Sequence, residues 1–589
     1  MVAEDSEGSE APKPAAKRKR GRPKAAVEKD APVEKEKTDQ DPKWSEGAAG
    51  DAQVPSWPHP ASKPKGRPTK HDTRRSVFER FITPAIQARV VEETNKYALL
   101  PHVPKTIKAR WTPITPAILM GFIGIVMYMG IVKLPARRMY WDLHRNIGVR
   151  GIQNCMTRDR FEDIARMLHF ETFNPQAPKK GEPGFDKIRP VRIIFDMFKS
   201  ACLSNWHMGQ YVSVDEAMQK MKGKSPVRTH MPNKPVKYGY KFWCLCCAGT
   251  GYLYNFDIYQ GKLQKEPEKN LGANVVMTLS AVLVAGSVVC CDRFFTSLLL
   301  VTLLLARGVR CIGTIMTNKK GFPKYLIMSK GEAQRKLARG HTAVASFTCA
   351  DGDVHVNRWM DNKPVYFISS SQTGEPGSGT VKRLDKGTGK RIEVQCSDTV
   401  AEYQKYMGGV DHFDHFRSAY TCRLKMHGKW YHYIWWWIVE SSCVNACIVY
   451  NYNRNFKTEK PLDFRFALAK ILMAAYTQPK RDKRFASSGH KAIDPLGRLV
   501  HRPMLYHLDD PTVQDRAKQI KTARNDCHIC KAMGFRAKAM LFCIHCNIVM
   551  HEGYCCERFH TVAEWSKELD YGKVCFRGMG AGVKSVKKK

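Results

Sequence analysis

The chain has 589 residues, and Lys and Arg outnumber Asp and Glu by 96 to 55, a net charge of +41. That length divides into several domains, and a hydrophobic content of 43% excludes a chain disordered throughout. The charge points to an anionic partner, nucleic acid first. The basic residues are spread along the chain rather than set beside an apolar anchor, which argues against a membrane surface.

Residues 1–73 are rich in Pro, Ala, Lys and Glu, lack aliphatic periodicity and are expected to be disordered. The start is acidic and without an apolar segment, so no secretory leader is expected. Two basic words stand in this tail, Lys17–Lys24 and Lys63–Lys70, and each contains Gly-Arg-Pro after a basic residue. Both resemble the AT-hook. Gly21 and Gly66 let the backbone approach the groove floor, and Pro23 and Pro68 keep the chain extended. Arg20, Arg22, Lys65 and Arg67 then enter a narrow A·T minor groove. A nuclear localisation signal or a generic basic tail fits the same words.

Residues 74–210 are expected to be helical, with Val77, Phe78, Phe81, Ile82, Ile86, Val90 and Val91 recurring at three- and four-residue spacing. Ala117–Val132 is uncharged and apolar. It falls short of the roughly 18 residues of a spanning helix and reads as a buried core helix. From 211 to 318, short apolar runs (211–215, 242–247, 252–259, 286–291, 311–315) alternate with helical ones (274–285, 296–306), the pattern of an α/β sheet. Residues 319–400 look irregular, with short strands at 354–356 and 365–368 and a Gly/Lys-rich loop at 372–391, and read as an insertion. Helix returns over 401–480, residues 481–525 are a polar linker, a Cys/His-rich segment spans 526–565, and 566–589 is a basic tail.

Three acids carry the chemistry. Asp215 closes the run Tyr211–Asp215, Asp292 closes Gly286–Asp292, and Asp411 stands in Met407–Asp414 with Asp414 one helical turn on. Acids at strand ends, faced by a helical acid, suit two divalent cations roughly 4 Å apart, each with carboxylate, water and phosphate ligands. Taken singly, each Asp also fits a turn residue or a helix N-cap.

The surrounding words resemble the catalytic motifs of piggyBac-type transposases. Val212–Met218 looks like the first, Cys291–Ser297 like the second and Tyr406–Asp414 like the third, with Lys234–Lys241 and Asn318–Pro323 between them in family order. The resemblance covers about Phe78 to the C-terminus. It implies an α/β fold with a ribonuclease-H-like catalytic domain, split into 211–318 and 401–418 by the insertion domain at 319–400. Helical parts at 74–210 and 419–480 would dimerise and bind DNA. It further implies excision and insertion of an element at TTAA in the nucleus by a homodimer using Mg²⁺ or Mn²⁺. Asp215, Asp292, Asp411 and Asp414 would be the catalytic acids and double-stranded, AT-rich or transposon-end DNA the partner. The alternative is a domesticated DNA-binding or chromatin protein with an idle nuclease site. The family usually has Asn after the second acid, where this chain has Arg293, which either pairs with Asp292 or points away.

Cys527, Cys530, Cys543 and Cys546 form two C-x₂-C knuckles, followed by His551, Cys555, Cys556 and His560, a set that predicts two Zn²⁺. The segment resembles the C-terminal cysteine-rich domain of the same family, with the choice between Cys555 and Cys556 open. Trp435, Trp436 and Trp437 read as core helix, whereas Trp430, beside Arg423, Lys425 and Lys429, is the better candidate for stacking on DNA bases.

Overall fold

The computed structural model describes residues 42–47, 57–66 and, apart from short internal breaks, 72–476, together with brief stretches between 505 and 585. From Trp44 onward the described residues form one unit.

The helical first part opens with α1 (Arg74–Glu79) and α2 (Pro84–Ala98). The continuous periodicity of 77–91 is broken because Thr83 caps the Ile86 N–H and Pro84 occupies the first helical turn. After α3 (Lys105–Arg110) comes α4 (Pro116–Ile131), buried from Ile118 to Gly130 on almost every face. Its glycines serve close packing. A Cβ at Gly124 would lie 2.9 Å from the Ala469 carbonyl oxygen and the Leu472 Cβ, so α4 and the late helix Pro461–Ala474 touch backbone to backbone. No helix among the described residues is long and apolar enough to cross a membrane. The helices α5 (Arg150–Cys155), α6 (Arg158–Met167) and α7 (Arg189–Ser204) complete this part.

One mixed sheet follows. In chain order its main strands are β1 (Ser45–Glu46), β4 (Tyr211–Lys220), β5 (Thr229–His230), β6 (Tyr238–Cys247), β7 (Leu253–Ile258), β8 (Val288–Cys291), β9 (Arg310–Thr314), β10 (Thr342–Cys349), β11 (Gly352–Met360) and β12 (Pro364–Ser369); β2 (Lys63–Pro64) and β3 (Trp206–His207) pair separately. In space the strands run β7-β6-β4-β8-β9-β12-β11-β10-β1. β7 and β4 each run antiparallel to β6 between them, β4, β8 and β9 are parallel, and β12 through β1 alternate antiparallel again. Helices α8 (Leu271–Ser280) and α9 (Leu298–Leu305) connect the parallel strands. A short α10 (Lys330–Lys336) precedes β10.

Three expectations change here. Strands β10 to β12 of the presumed irregular region extend the main sheet through β12 and β9. The expected loop at 372–391 contains one arm of a hairpin, β13 (Gly379–Leu384) with β14 (Arg391–Cys396). Most of its charged residues are exposed, while Val381 and Val394 pack near Trp359 and Arg383 lies over the Trp359 ring and pairs with Asp361. The tail expected to be disordered contributes β1, which adds to the sheet edge at β10, and β2, which pairs with β3. Trp44 donates from Nε1 to the Gly321 carbonyl (2.9 Å), and the Trp206 indole donates to Ser62 Oγ (3.0 Å), so apolar and hydrogen-bonding anchors outweigh the polar composition.

Helices α11 (Asp398–Tyr406) and α12 (Gly409–Ala419) lie on one face of the sheet. Then α13 (His432–Tyr452) and α14 (Pro461–Ala474) return to the first helical part. Trp435, Trp436 and Trp437 are at most 2% exposed, as expected of core. The Trp437 ring stacks on Phe242 of β6 at 4.0 Å with 2° between planes, and Trp436 meets Phe122 of α4.

Candidate active site

Asp215 sits on β4 and Asp292 directly follows β8. These two strands are parallel neighbours in register Val214 with Cys291, so the next residue on each, Asp215 and Asp292, falls side by side. Alternation puts both on the face that carries Ser213 and Cys290, the face covered by α11 and α12. Asp215 was expected at a strand end. It is instead internal, because β4 runs on to Lys220 against the long partner β6.

Asp411 lies in the first turn of α12 and is exposed. The start of the helix is seated on β4 where the Val410 N–H donates to Ser213 Oγ (3.0 Å). A Cβ at Gly409 would lie 2.5 Å from that oxygen and 2.8 Å from the Cys247 carbonyl oxygen. Gly409 therefore brings the helix, and with it Asp411, down onto the strand that carries Asp215.

The electrostatics record the convergence. Burial pushes the Asp215 carboxyl up to about 7; the Glu216 N–H opposes this, and the charges of Asp292 and Asp411 add to it. Asp292 is also raised, by burial first and by the nearby charge of Glu216, against the Phe294 N–H, which donates to its carboxylate at 2.9 Å. Arg293 is exposed in the turn after β8, and among the described residues no ion pair joins it to Asp292. Of the two alternatives for this residue, the pairing with Asp292 is not formed.

Asp414 has a different setting. Its Oδ1 accepts from Arg417 Nε (2.9 Å) and Nη2 (2.6 Å), and Arg417 is wholly buried. The same guanidinium reaches Glu440 of α13 (2.9 Å), Gln219 and the Met218 carbonyl of β4. Asp414 is thus tied into a buried network that pins α12 to β4 and α13.

Sequence reasoning missed the groups that flank the acids. Glu216 pairs with Lys241 (2.5 Å) and Lys234 (3.1 Å), and Lys241 lies over the rings of Trp243 (3.9 Å) and Phe294 (4.8 Å). Both lysines belong to the word Lys234–Lys241, so the signal was present. Its meaning needed the antiparallel register that sets Glu216 diagonal to Lys241. Two neighbouring carboxylates, both disfavoured in their charged form, with the charge of a third acting on Asp215, offer oxygen donors of the kind divalent, oxygen-preferring cations take.

At the C-terminus, ligand atoms of Cys527, Cys530, His551 and Cys555 all lie within 4.8 Å of one another. The Cys530 Sγ is 3.9 Å from Cys555 Sγ and 3.4 Å from His551 Nδ1. The edge of a tetrahedron built on roughly 2.3 Å metal–sulfur bonds is about 3.8 Å, so the quartet fits one ion. It draws on both cysteines of the first knuckle and, among the described residues, on His551 and Cys555. Cys543 lies on a short strand, Leu541–Cys543, while Cys546, Cys556 and His560 fall outside the described residues.

Of the hook words, Arg20, Gly21, Arg22, Pro23, Arg67 and Pro68 lie outside the described residues. Lys65 is not free to enter a groove as placed here: its Nζ donates to the Leu203 carbonyl (3.0 Å) near the end of α7, where carbonyls attract cations. Gly66 is exposed with φ +84°. Trp430 is half-buried against the main core, with its carbonyl accepting from Tyr240 Oη (3.0 Å). The adjacent Lys429 is occupied by the Arg166 carbonyl (2.6 Å) and His169 Nδ1 (3.0 Å).

A mixed sheet bearing two neighbouring acids, with a third delivered by a glycine-seated helix, defines the class. Residues 73–447 match the family described as Transposase IS4, and the chain belongs to it. Within that family it is of the piggyBac type. It is 27% identical over 507 residues to PiggyBac transposable element-derived protein 3 of Homo sapiens, covering 83% of this chain and 76% of that protein. It is 28% identical over 383 residues to the human PiggyBac transposable element-derived protein 2, covering 63% of this chain and 60% of that one. A solved structure titled as a cryo-EM piggyBac transposase synaptic complex with hairpin DNA matches with a TM-score of 0.62 at 24% identity, over 84% of this chain and 99% of that one, a likeness of fold.

Proposed function

We propose that the protein is a DNA transposase that cuts and rejoins phosphodiesters at TTAA in the nucleus, acting as a homodimer on transposon-end DNA. The observation that carries this is the gathering of Asp215, Asp292 and Asp411, with burial and mutual repulsion pushing Asp215 up to about 7. Strand order supports a ribonuclease-H-like core. Three antiparallel strands, β7-β6-β4, continue into two parallel ones, β8 and β9, and the acids stand on the first and fourth strands in chain order. Asp215, Asp292 and Asp411 would hold Mg²⁺ or Mn²⁺, and Asp414 would stand behind them, anchored by Arg417. When bound, such cations supply Lewis-acid stabilisation at the attacked phosphate and make a water or 3′-hydroxyl a better nucleophile. Asp215 and Asp292, fixed on neighbouring strands, set the spacing, and α12 closes the site. The quartet Cys527, Cys530, His551 and Cys555 would hold one Zn²⁺, and Cys543, Cys546, Cys556 and His560 a second. The excess of 41 positive charges suits a DNA partner, with the first hook word, Lys17–Lys24, adding AT-rich contacts.

A second reading, a domesticated DNA-binding protein with an idle site, draws on relatives whose names call them element-derived. Cleavage of matching terminal-repeat DNA with Mg²⁺ or Mn²⁺, comparing wild type with Asp292→Ala, separates the two. Metal-dependent cutting by wild type alone supports the transposase; no cutting by wild type leaves only the second reading.

A further inference from the structure

Lys234 has surroundings that a structural ion pair does not require. It stands on the bend before β6, and its ammonium is 3.1 Å from Glu216. Glu216 is already partnered by Lys241 at 2.5 Å, and Lys241 is held against Trp243 and Phe294 with its side chain only 8% exposed. One carboxylate therefore faces two ammonium groups, and the second positive charge is surplus to it. Glu216 directly follows Asp215 on β4, so this ion pair holds the surplus charge beside the acids, and the charges of Asp215 and Asp292 both act on Lys234, as its charge acts on them. The Lys234 side chain is 42% exposed, so the ion pair leaves part of it open to a further ligand.

A cation held next to two metal-binding carboxylates opposes metal binding, a cost with no return unless an anion arrives with the metal. In a site that cuts DNA, that anion is the phosphodiester. We infer that Lys234 is a catalytic residue whose ammonium takes a non-bridging oxygen of the scissile phosphate, while Glu216, clamped by Lys241, is the arm that aims it. This inference rests on the DNA-cutting reading above. It assigns no proton transfer to Lys234, which acts as a fixed positive charge on the phosphate as negative charge builds there.

The test uses the full chain and Lys234→Met, with Lys234→Arg as the variant that keeps the charge. Three readouts are taken: Mn²⁺ affinity of the DNA-free protein, the salt dependence of binding to a terminal-repeat duplex in Ca²⁺, and single-turnover cleavage at saturating Mn²⁺ and DNA. Lys234→Met is expected to bind Mn²⁺ on the order of 10-fold more tightly, because a repelling charge is gone. Its plot of log affinity against log salt should lose about one unit of slope, the mark of one phosphate contact. Its cleavage should fall by about 100-fold, with Lys234→Arg recovering a large part. Weaker Mn²⁺ binding by Lys234→Met would show a merely structural lysine and overturn the inference, as would an unchanged salt slope. The slope is read without cleavage. A wild type that never cuts therefore removes the transposase reading on its own, and the Lys234 contact is still decided by the slope.

Discussion

Replacing Asp215 by Asn should make the metal-free protein more stable near neutral pH. The folded environment pushes this carboxyl from 3.8 to about 7 through burial, against the Glu216 N–H and with the charges of Asp292 and Asp411. A carboxyl raised by folding favours the folded state while protonated. That contribution is intact below the unfolded value and is lost as pH rises from about 4 through about 7. Above pH 7 the ionised wild type therefore carries a penalty on the order of 4 kcal/mol, an upper bound because side chains and water relax around the charge. Asn keeps the oxygen that accepts from the Glu216 N–H at 2.7 Å and removes the charge, and Asp292 loses a like-charged neighbour as well. The assay is thermal melting of wild type and Asp215→Asn after chelation, at about pH 5 and about pH 8. The variant should gain several degrees relative to wild type at the higher pH and much less at the lower. Saturating Mn²⁺ should then cancel the gain, since it stabilises only the chain that binds it. A variant no more stable than wild type at the higher pH, or equally favoured at both, refutes the argument that these carboxylates are held in mutual repulsion.

Arg417→Met should destabilise by about 3–5 kcal/mol, because Glu440, wholly buried, is left without its partner, and the Arg417→Met/Glu440→Met double variant should recover most of that in chemical denaturation. Trp437→Ala removes the ring stacked on Phe242 and should cost about 3–5 kcal/mol by the same measurement, loosening α13 from the sheet. His551→Ala should reduce bound zinc from two ions per chain to one in elemental analysis, with loss of amide-exchange protection around 527–555.

What the sequence made legible follows the strength of its local patterns. Runs of apolar and aromatic residues located β7, β8 and β9 to within two residues and β4 and β6 only in part, and the glycine-punctuated apolar run located α4. The hairpin β13–β14 was hidden because each strand turns few apolar side chains inward and displays Lys, Arg and Glu outward, which reads as loop. The short strands β1 and β2 were hidden for a different reason. Two-residue pairings have no periodicity, and their anchors, Trp44 and Ser62, act on partners 277 and 144 residues away. The acids were legible as words, but their meeting place depended on a parallel register and on a helix lowered by Gly409, neither of which local sequence encodes.

The two acids of α12 illustrate what geometry adds to a motif. Asp411 and Asp414 are one turn apart and look equivalent in the sequence. Asp411 is exposed at the mouth of the cluster, and its charge acts on Asp215. Asp414 already accepts two charged hydrogen bonds from Arg417, which draw electron density away from a metal and hold the carboxylate in one orientation. Asp411→Asn should therefore weaken Mn²⁺ binding with little effect on stability. Asp414→Asn should instead lower stability, because Arg417 keeps only Glu440 as an ionised partner in the interior. Equal effects of the two substitutions on metal affinity and on melting would mean that the turn between them carries no division of labour, and that Arg417 serves packing alone.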